Sequence, residues 1–216
     1  MNKKQLKVRR IYKKLHAYFG DLGWWPADSD FEVIVGAVLT QNTSWVNVER
    51  SLQNLKKKNL LDLYRIHKLS IKKLETAIRP SGFQTIKARR LKEICEFLIK
   101  RYNADFSALR KQTCWKLREE LLQINGIGPE TADSILLYAV GKPVFVVDAY
   151  TRRIFSRHKV VDFNDSYDKI QTQILRYFSP RVKTFNRFHS YIVETAKQFC
   201  KKNNPLCEEC PLNSSM

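Results

Sequence analysis

Long hydrophobic runs are absent from this sequence, and so is the apolar core of a signal peptide. No apolar segment approaches the roughly 20 residues that a helix needs to span a bilayer, and the N-terminus MNKKQLKVRR is basic and polar. Low-complexity segments and clean internal repeats are absent too. We therefore expect an intracellular protein, in the cytoplasm or nucleoid, with no membrane partner.

Acidic residues are scarce. The 216 residues include 39 Lys and Arg but only 21 Asp and Glu, for a formal charge of +18. This excess favours a polyanionic partner, nucleic acid above all, and the alternative is a solvated cationic surface. The length allows one large domain or two small ones, and either can bury an adequate core.

Cysteines are few, and their number is odd. Of the five, three stand near the C-terminus with the spacing C-x6-C-x2-C. This pattern favours metal chemistry over a disulfide framework. Cys95 and Cys114 fall at apolar positions of predicted helices, where we expect core thiols.

Strand signals are almost missing. Apolar residues recur at helical spacing over most of the chain, and the pattern predicts an all-α fold. The one strand-like run, 143–147, is too isolated to build a sheet, and we interpret it as a buried connector that delivers Asp148. Helices are predicted over 3–19, 31–40, 167–178 and 185–199, from Trp45, from Ile71, after the loop 82–85, and on both sides of Gly126 and Gly128.

Gly126 and Gly128 flank a single apolar residue, Ile127, between two helical patterns. Such glycines allow a tight turn with positive φ. Pro129 suits the first turn of the following helix, because its missing N–H would be unpaired there. The stretch therefore predicts a helix, a glycine hairpin and a second helix, whose outward amides bind phosphate.

The pattern Leu-x-x-Ile-x-Gly-Ile-Gly-x-x-Thr-Ala at 121–132, the Val-Val-Asp at 146–148 and the cysteine cluster resemble the helix-hairpin-helix DNA glycosylases of the endonuclease III family. The resemblance implies an all-α fold of two lobes with the DNA cleft between them. One lobe would span 22–135, and 1–21 with 136–216 would form the other. It also implies a monomer that acts on damaged double-stranded DNA.

The resemblance makes Asp148 the catalytic residue. Cleavage of an N-glycosidic bond develops positive charge on the sugar, which a nearby carboxylate stabilises while water attacks. Judged alone, Asp148 is as well explained as the N-cap of a helix through Ile154. The two roles are compatible.

Bifunctional members of the family carry a lysine in the second hairpin helix, where this sequence has Glu130. A carboxylate cannot form the Schiff base that leads to strand nicking, and neither Lys87 nor Lys142 occupies the matching position. We therefore predict a monofunctional glycosylase, although Glu130 is also an ordinary first-turn acid. The alternatives are a bifunctional oxidised-pyrimidine glycosylase and a DNA-binding module without activity.

Gly-Trp-Trp-Pro at 23–26, Trp45 and Glu130 look like the 3-methyladenine branch of the family. Alkylated adenine carries positive charge, and a cation–π interaction with an indole face contributes about 0.5–2 kcal/mol to its binding. The alternative is that these aromatic side chains are core. The predicted base pocket comprises Trp24, Trp25, Pro26, Trp45, Glu130 and Tyr150.

The resemblance implies that two loops open the duplex, with Gln41 filling the vacated space and Phe83 wedging the opposite strand. Without it, both are unremarkable loop residues. Predicted contacts to DNA also come from Lys87, Gly126, Ile127, Gly128 and Thr131, with a monovalent cation at the hairpin carbonyls as a further expectation. Arg89 and Arg90 are either phosphate contacts or a solvated face.

In this family Cys200, Cys207 and Cys210 would hold a 4Fe–4S cluster with a fourth cysteine six positions on. Met216 stands there instead. The fourth iron would then bind Met216, an exogenous ligand or nothing, and the alternatives are zinc or no metal.

Overall fold

The computed structural model describes residues 3–213, and these fold into helices with no strand. The all-α prediction is confirmed. The helices are α1 (Lys3–Phe19), α2 (Asp30–Leu39), α3 (Trp45–Lys57), α4 (Leu63–Lys68), α5 (Ile71–Ile78), α6 (Gln84–Tyr102), α7 (Phe106–Lys111), α8 (Cys114–Leu122), α9 (Pro129–Ser134), α10 (Ala149–Arg157), α11 (Tyr167–Leu175) and α12 (Val182–Gln198). Among the described helices, none has the length and apolar character to cross a membrane.

The chain divides into two compact units. Ala27–Lys142 forms the central unit, and the described residues on either side of it form the terminal unit. The boundaries drawn from the sequence, at 22 and 135, lie a few residues earlier. The helix that follows the two glycines of the hairpin extends beyond α9, because a π-helical turn, Ile135–Val140, continues it as far as Gly141.

Helix α2 forms the core of the central unit. Every residue from Phe31 to Leu39 is buried, as expected for a helix that is apolar all round. Ser29 caps the helix, because its Oγ accepts a hydrogen bond from the Glu32 amide at 3.1 Å. Helices α3, α6 and α9 pack against α2.

Helix α12 organises the terminal unit. It packs against α1 and α10 and buries Phe185, Phe188 and Tyr191 completely. The run Val144–Val147 has no regular secondary structure and is buried beside α12, with Phe145 against Phe188, which confirms the predicted buried connector. Full burial of a valine or phenylalanine side chain contributes about 1.5–3 kcal/mol. The buried connector therefore fixes the position of Asp148, the residue that follows it.

Candidate active site

The glycine hairpin lies between α8 and α9, and Gly126 is its tight point. Gly126 has φ +78°, and a Cβ there would lie 2.0 Å from the Nε of Arg90. Gly128 has φ −90° and open space around its Cα. The prediction of positive φ is therefore confirmed for Gly126 and wrong for Gly128, and Pro129 begins α9 as expected.

Two of the predicted DNA contacts in the hairpin face inward. The Ile127 amide donates to the Ile124 carbonyl at 3.0 Å, and its side chain is only 3% exposed. Thr131 is buried, and its Oγ1 accepts a hydrogen bond from Gln41 at 2.8 Å. Ile127 and Thr131 thus shape the hairpin from inside. Gly128 is exposed, and its amide donates to no other residue of the described chain.

Gln41 ties the loop after α2 to the hairpin. Its Nε2 donates to the Gly126 carbonyl at 3.1 Å and to Thr131, while its Oε1 accepts from Arg90 Nη1 at 2.6 Å. Arg90 is therefore a structural partner of Gly126 and Gln41. The Gly126 carbonyl, one of the oxygens predicted to bind a cation, already accepts the Gln41 amide.

A buried ion pair joins the two hairpin helices. Arg118 on α8 donates through Nε to Asp133 Oδ1 at 2.8 Å and through Nη2 to Oδ2 at 3.3 Å. Both side chains are almost fully buried. Breaking such a pair by removing one partner costs about 3–5 kcal/mol, so the crossing of α8 and α9 is fixed.

Lys87 is not a surface contact for phosphate, which corrects the prediction. It is 1% exposed, and its Nζ donates to the carbonyls of Leu39 at 2.8 Å and Ser81 at 2.7 Å. Burial, with a smaller effect of the Arg90 cation, lowers the pKa of Lys87 to about 8. The reason is geometric: the side chain reaches inward to carbonyls at the ends of two helical segments, so it holds the Gln41 and Phe83 loops together.

Phe83 projects from the second of these loops. Its side chain is 61% exposed, and it has φ +48° at the position before α6. A bulky residue in the left-handed region is uncommon and strained. An exposed aromatic ring held in this way matches the predicted wedge, and it stands about one turn from Lys87, whose Nζ is 6.0 Å from the ring centroid.

Asp148 ends the buried connector and caps α10. Its Oδ1 accepts a hydrogen bond from the Thr151 amide at 2.6 Å, and its Oδ2 lies 3.5 Å from the Nε2 of His189. Burial raises the pKa of Asp148, but His189 and the Thr151 hydrogen bond outweigh it and hold the pKa below its usual range. The carboxylate therefore stays ionised although it is only 13% exposed.

His189 was missed by the sequence analysis. It lies on α12 and is 5% exposed, with its ring edge-to-face against Phe145 at 6.5 Å between centroids. The only signal was a histidine among the apolar residues of α12, where a buried polar side chain needs a partner. That partner is 41 residues away, so local patterns could not identify it.

Some of the residues predicted to form the base pocket belong to the terminal unit and some to the central unit. In the terminal unit, the half-buried Trp24 and Trp25 meet edge-to-face at 6.0 Å, and Lys197 Nζ lies 5.4 Å from the centroid of Trp24. The guanidinium carbon of Arg153 lies 5.1 Å from the centroid of the Tyr150 ring. Trp24 and Tyr150 therefore each have a cationic side chain at the ring.

The other pocket candidates are simpler. Pro26 is exposed beside Trp25. In the central unit, Trp45 donates through Nε1 to Glu49 Oε1 at 2.8 Å on the solvent side of α3. Glu130 is exposed in the first turn of α9, which fits its position after the hairpin.

Cys200, Cys207 and Cys210 line one cavity of about 40 Å³ together with Arg157 and His158. Arg157 Nη1 donates to Cys200 Sγ at 3.2 Å. In the described part of the chain, no three His, Cys, Asp or Glu side chains converge to hold a single metal ion, and Met216 lies outside the described residues. Cys95 is a core thiol as predicted, whereas Cys114 is half-buried at the start of α8.

The family described as HhH-GPD superfamily base excision DNA repair proteins matches residues 35–180. The chain belongs to the HhH-GPD superfamily. It is a DNA glycosylase of this family by similarity along nearly its whole length. A protein of Methanocaldococcus jannaschii that carries the name DNA repair glycosylase MJ1434 is 46% identical over 95% of this chain and 93% of its own length.

Two further relatives of this HhH-GPD protein differ in the activity that they are named for. Endonuclease III of Thermotoga maritima is 29% identical over 85% of this chain and 81% of its own length. The H. pylori 3-methyladenine DNA glycosylase MagIII, solved with 1,N6-ethenoadenine, is 31% identical, with a TM-score of 0.76 over 91% of this chain and 98% of its own. An endonuclease III–DNA complex, at 23% identity and a TM-score of 0.84 over 99% of this chain and 95% of its own, shares the fold.

Proposed function

We propose that this glycosylase removes alkylated purines such as 3-methyladenine from double-stranded DNA and leaves an intact abasic site. The observation that carries the proposal is the chemistry at the hairpin, where Glu130 replaces the lysine of bifunctional members of the family. Water then has to attack the sugar, because a carboxylate cannot form an imine.

The neighbouring lysines support this conclusion. Lys87 is buried, and its Nζ is bonded to two carbonyl oxygens. Lys142 donates through Nζ to the Arg110 carbonyl at 2.6 Å. Neither amine is free to attack a sugar in this structure, so the chain offers no substitute for the lysine at either position that its sequence suggested.

Asp148 would supply the electrostatic part of the reaction. As the glycosidic bond breaks, positive charge develops on the sugar, and a carboxylate that is already ionised stabilises it without having to lose a proton. The Thr151 amide and His189 keep Asp148 in this state. The same carboxylate would orient the attacking water.

The backbone at Gly128 would hold the DNA, and the exposed ring of Phe83 would open the duplex. Gln41 is hydrogen bonded to Gly126 in this structure and would have to break that bond in order to fill the space of a flipped nucleotide. Alkylated adenine would stack on an indole of the Trp24 and Trp25 pair and be selected by its charge. The name and ligand of the H. pylori relative support this choice of base.

We also propose that Cys200, Cys207 and Cys210 hold a 4Fe–4S cluster. Soft thiolate ligands suit such a cluster, and the three side chains surround one cavity. It would brace the loop 201–206 and take no part in the removal of the base.

The test uses duplex DNA with a single alkylated adenine, incubated with the enzyme and analysed with and without hot alkali. Base release with nicking only after alkali supports the proposal. Nicking without alkali, together with an adduct trapped by borohydride, would show a bifunctional enzyme like endonuclease III. Tight binding without release would show a module that has lost catalysis.

A further inference from the structure

His158 lines the cavity formed by Cys200, Cys207 and Cys210. Among the described residues of the terminal unit, no hydrogen bond to its ring nitrogen Nδ1 accounts for its burial. His158 follows α10 directly, with its amide bonded to the Ile154 carbonyl at 3.0 Å. Because α10 packs on α12, and α12 leads into Cys200, this position is fixed by the fold.

His158 is 8% exposed, and its Nδ1 has no hydrogen-bond partner among the described residues. A buried polar atom left unpaired costs about 1–3 kcal/mol, and such atoms are rare in folded proteins. The other buried histidine of the terminal unit, His189, faces Asp148 at 3.5 Å. His158 thus brings a buried nitrogen without a partner among the described residues to the cavity that the three thiols also line.

The geometry points to His158 as the fourth ligand of the metal centre formed by Cys200, Cys207 and Cys210. This inference rests on the cluster proposed above and concerns which side chain completes it. The sequence has no fourth cysteine at the family position, and a thioether there would be a weak ligand, whereas imidazole nitrogen binds iron in several Fe–S centres.

The arrangement suits a 4Fe–4S cluster better than one ion. Each side chain binds a different iron of a cubane, so the ligands stand around a body and need not meet at a point. Cys200, Cys207, Cys210 and His158 all line one cavity, and no three of the described His, Cys, Asp or Glu side chains converge on a single ion. Arg157 also lies at this cavity and donates to Cys200 Sγ at 3.2 Å.

The experiment measures the metal and its ligands, and it does not depend on glycosylase activity. Full-length protein is purified without oxygen, and its iron, sulfide and zinc are determined. The dithionite-reduced protein is then examined by pulsed EPR for coupling to a ¹⁴N nucleus. We expect about four irons and four sulfides per chain, with a clear ¹⁴N coupling in the wild type.

Three variants separate ligation from folding. His158→Ala should lower the iron content at least threefold, whereas His158→Cys should keep the iron and lose the ¹⁴N coupling. His67→Ala is the matched control, since His67 also has a partnerless Nδ1 but lies in the central unit, and it should change neither value.

Several results would overturn the inference. These are a wild-type cluster without ¹⁴N coupling, an iron content and spectrum unaffected by His158→Ala, or a wild-type protein that binds zinc or no metal. If His158→Ala does not fold, as judged by circular dichroism, the spectrum of His158→Cys still decides. Failure of base release in the glycosylase assay would leave all of these readouts unchanged, so the two proposals fail separately.

Discussion

Replacing His189 by phenylalanine would remove the imidazole that faces Asp148 and keep a ring against Phe145. We expect two effects. The acid limb of the pH profile for base release should move to higher pH, because the carboxylate loses a neighbour that lowers its pKa. The free energy of unfolding should also fall at neutral pH.

The magnitude follows from the 3.5 Å between Asp148 Oδ2 and His189 Nε2. A hydrogen bond to an ionised group contributes about 1.5–3 kcal/mol net, and less when it is as long as this one. Both side chains are largely buried, so we expect His189→Phe to reduce stability by about 1–3 kcal/mol.

The sign of the pH dependence is fixed by linkage. A carboxyl group whose pKa is depressed in the folded state adds stability above its unfolded pKa of about 3.9, and that stability is lost as the pH falls through the folded pKa. The difference between the wild type and His189→Phe should therefore be full at pH 7 and shrink below about pH 4.

The assay is single-turnover release of 3-methyladenine from duplex DNA across pH, corrected for spontaneous release, together with urea unfolding at pH 7. His189→Gln is the companion variant, since it keeps an N–H donor and should recover part of the loss. His189→Phe with the acid limb and the stability of the wild type would refute the coupling between His189 and Asp148.

Four further variants test the hairpin and its supports. Gly126→Ala should lose about 2 kcal/mol of stability, because it strains a backbone at φ +78° and meets Arg90, whereas Gly128→Ala, with open space at its Cα, should keep its stability and weaken binding to DNA in an anisotropy titration. Equal stability losses would contradict the assignment. Lys87 has a pKa of about 8 in the folded state, so between pH 8 and 10.5 the folded wild type loses a proton that the unfolded chain keeps, and its stability rises. Lys87→Met lacks this gain and should become less stable than the wild type by about 3 kcal/mol over that range. A difference in the free energy of urea unfolding that does not change with pH would argue against a buried lysine. Glu130→Lys should yield an adduct that borohydride traps on gels, and none would mean that position 130 does not reach the sugar.

The local features of the fold could be predicted from the sequence. The bounds of α1, the buried connector before Asp148 and the left-handed Gly126 all follow from residue type and short-range period. Each depends on neighbours within a few positions, where propensity and capping decide the conformation.

The long-range contacts could not be predicted. Lys87 was expected on the surface because lysine seldom lies inside, but the carbonyl of Leu39, 48 residues away, accepts its hydrogen bond. Gln41 binds Gly126 across 85 residues. The pairing of Asp148 with His189 likewise depends on tertiary packing, about which an apolar helical period says nothing.

The central claim is that the Asp148 carboxylate stabilises the sugar cation, and Asp148→Asn tests it most directly. Asparagine is equally good at a helix N-cap and can keep the hydrogen bond from the Thr151 amide, so the fold should survive. We predict that the single-turnover rate of 3-methyladenine release falls by about 10²- to 10³-fold while binding to duplex DNA is retained. Release at the wild-type rate by a folded Asp148→Asn protein would contradict the account.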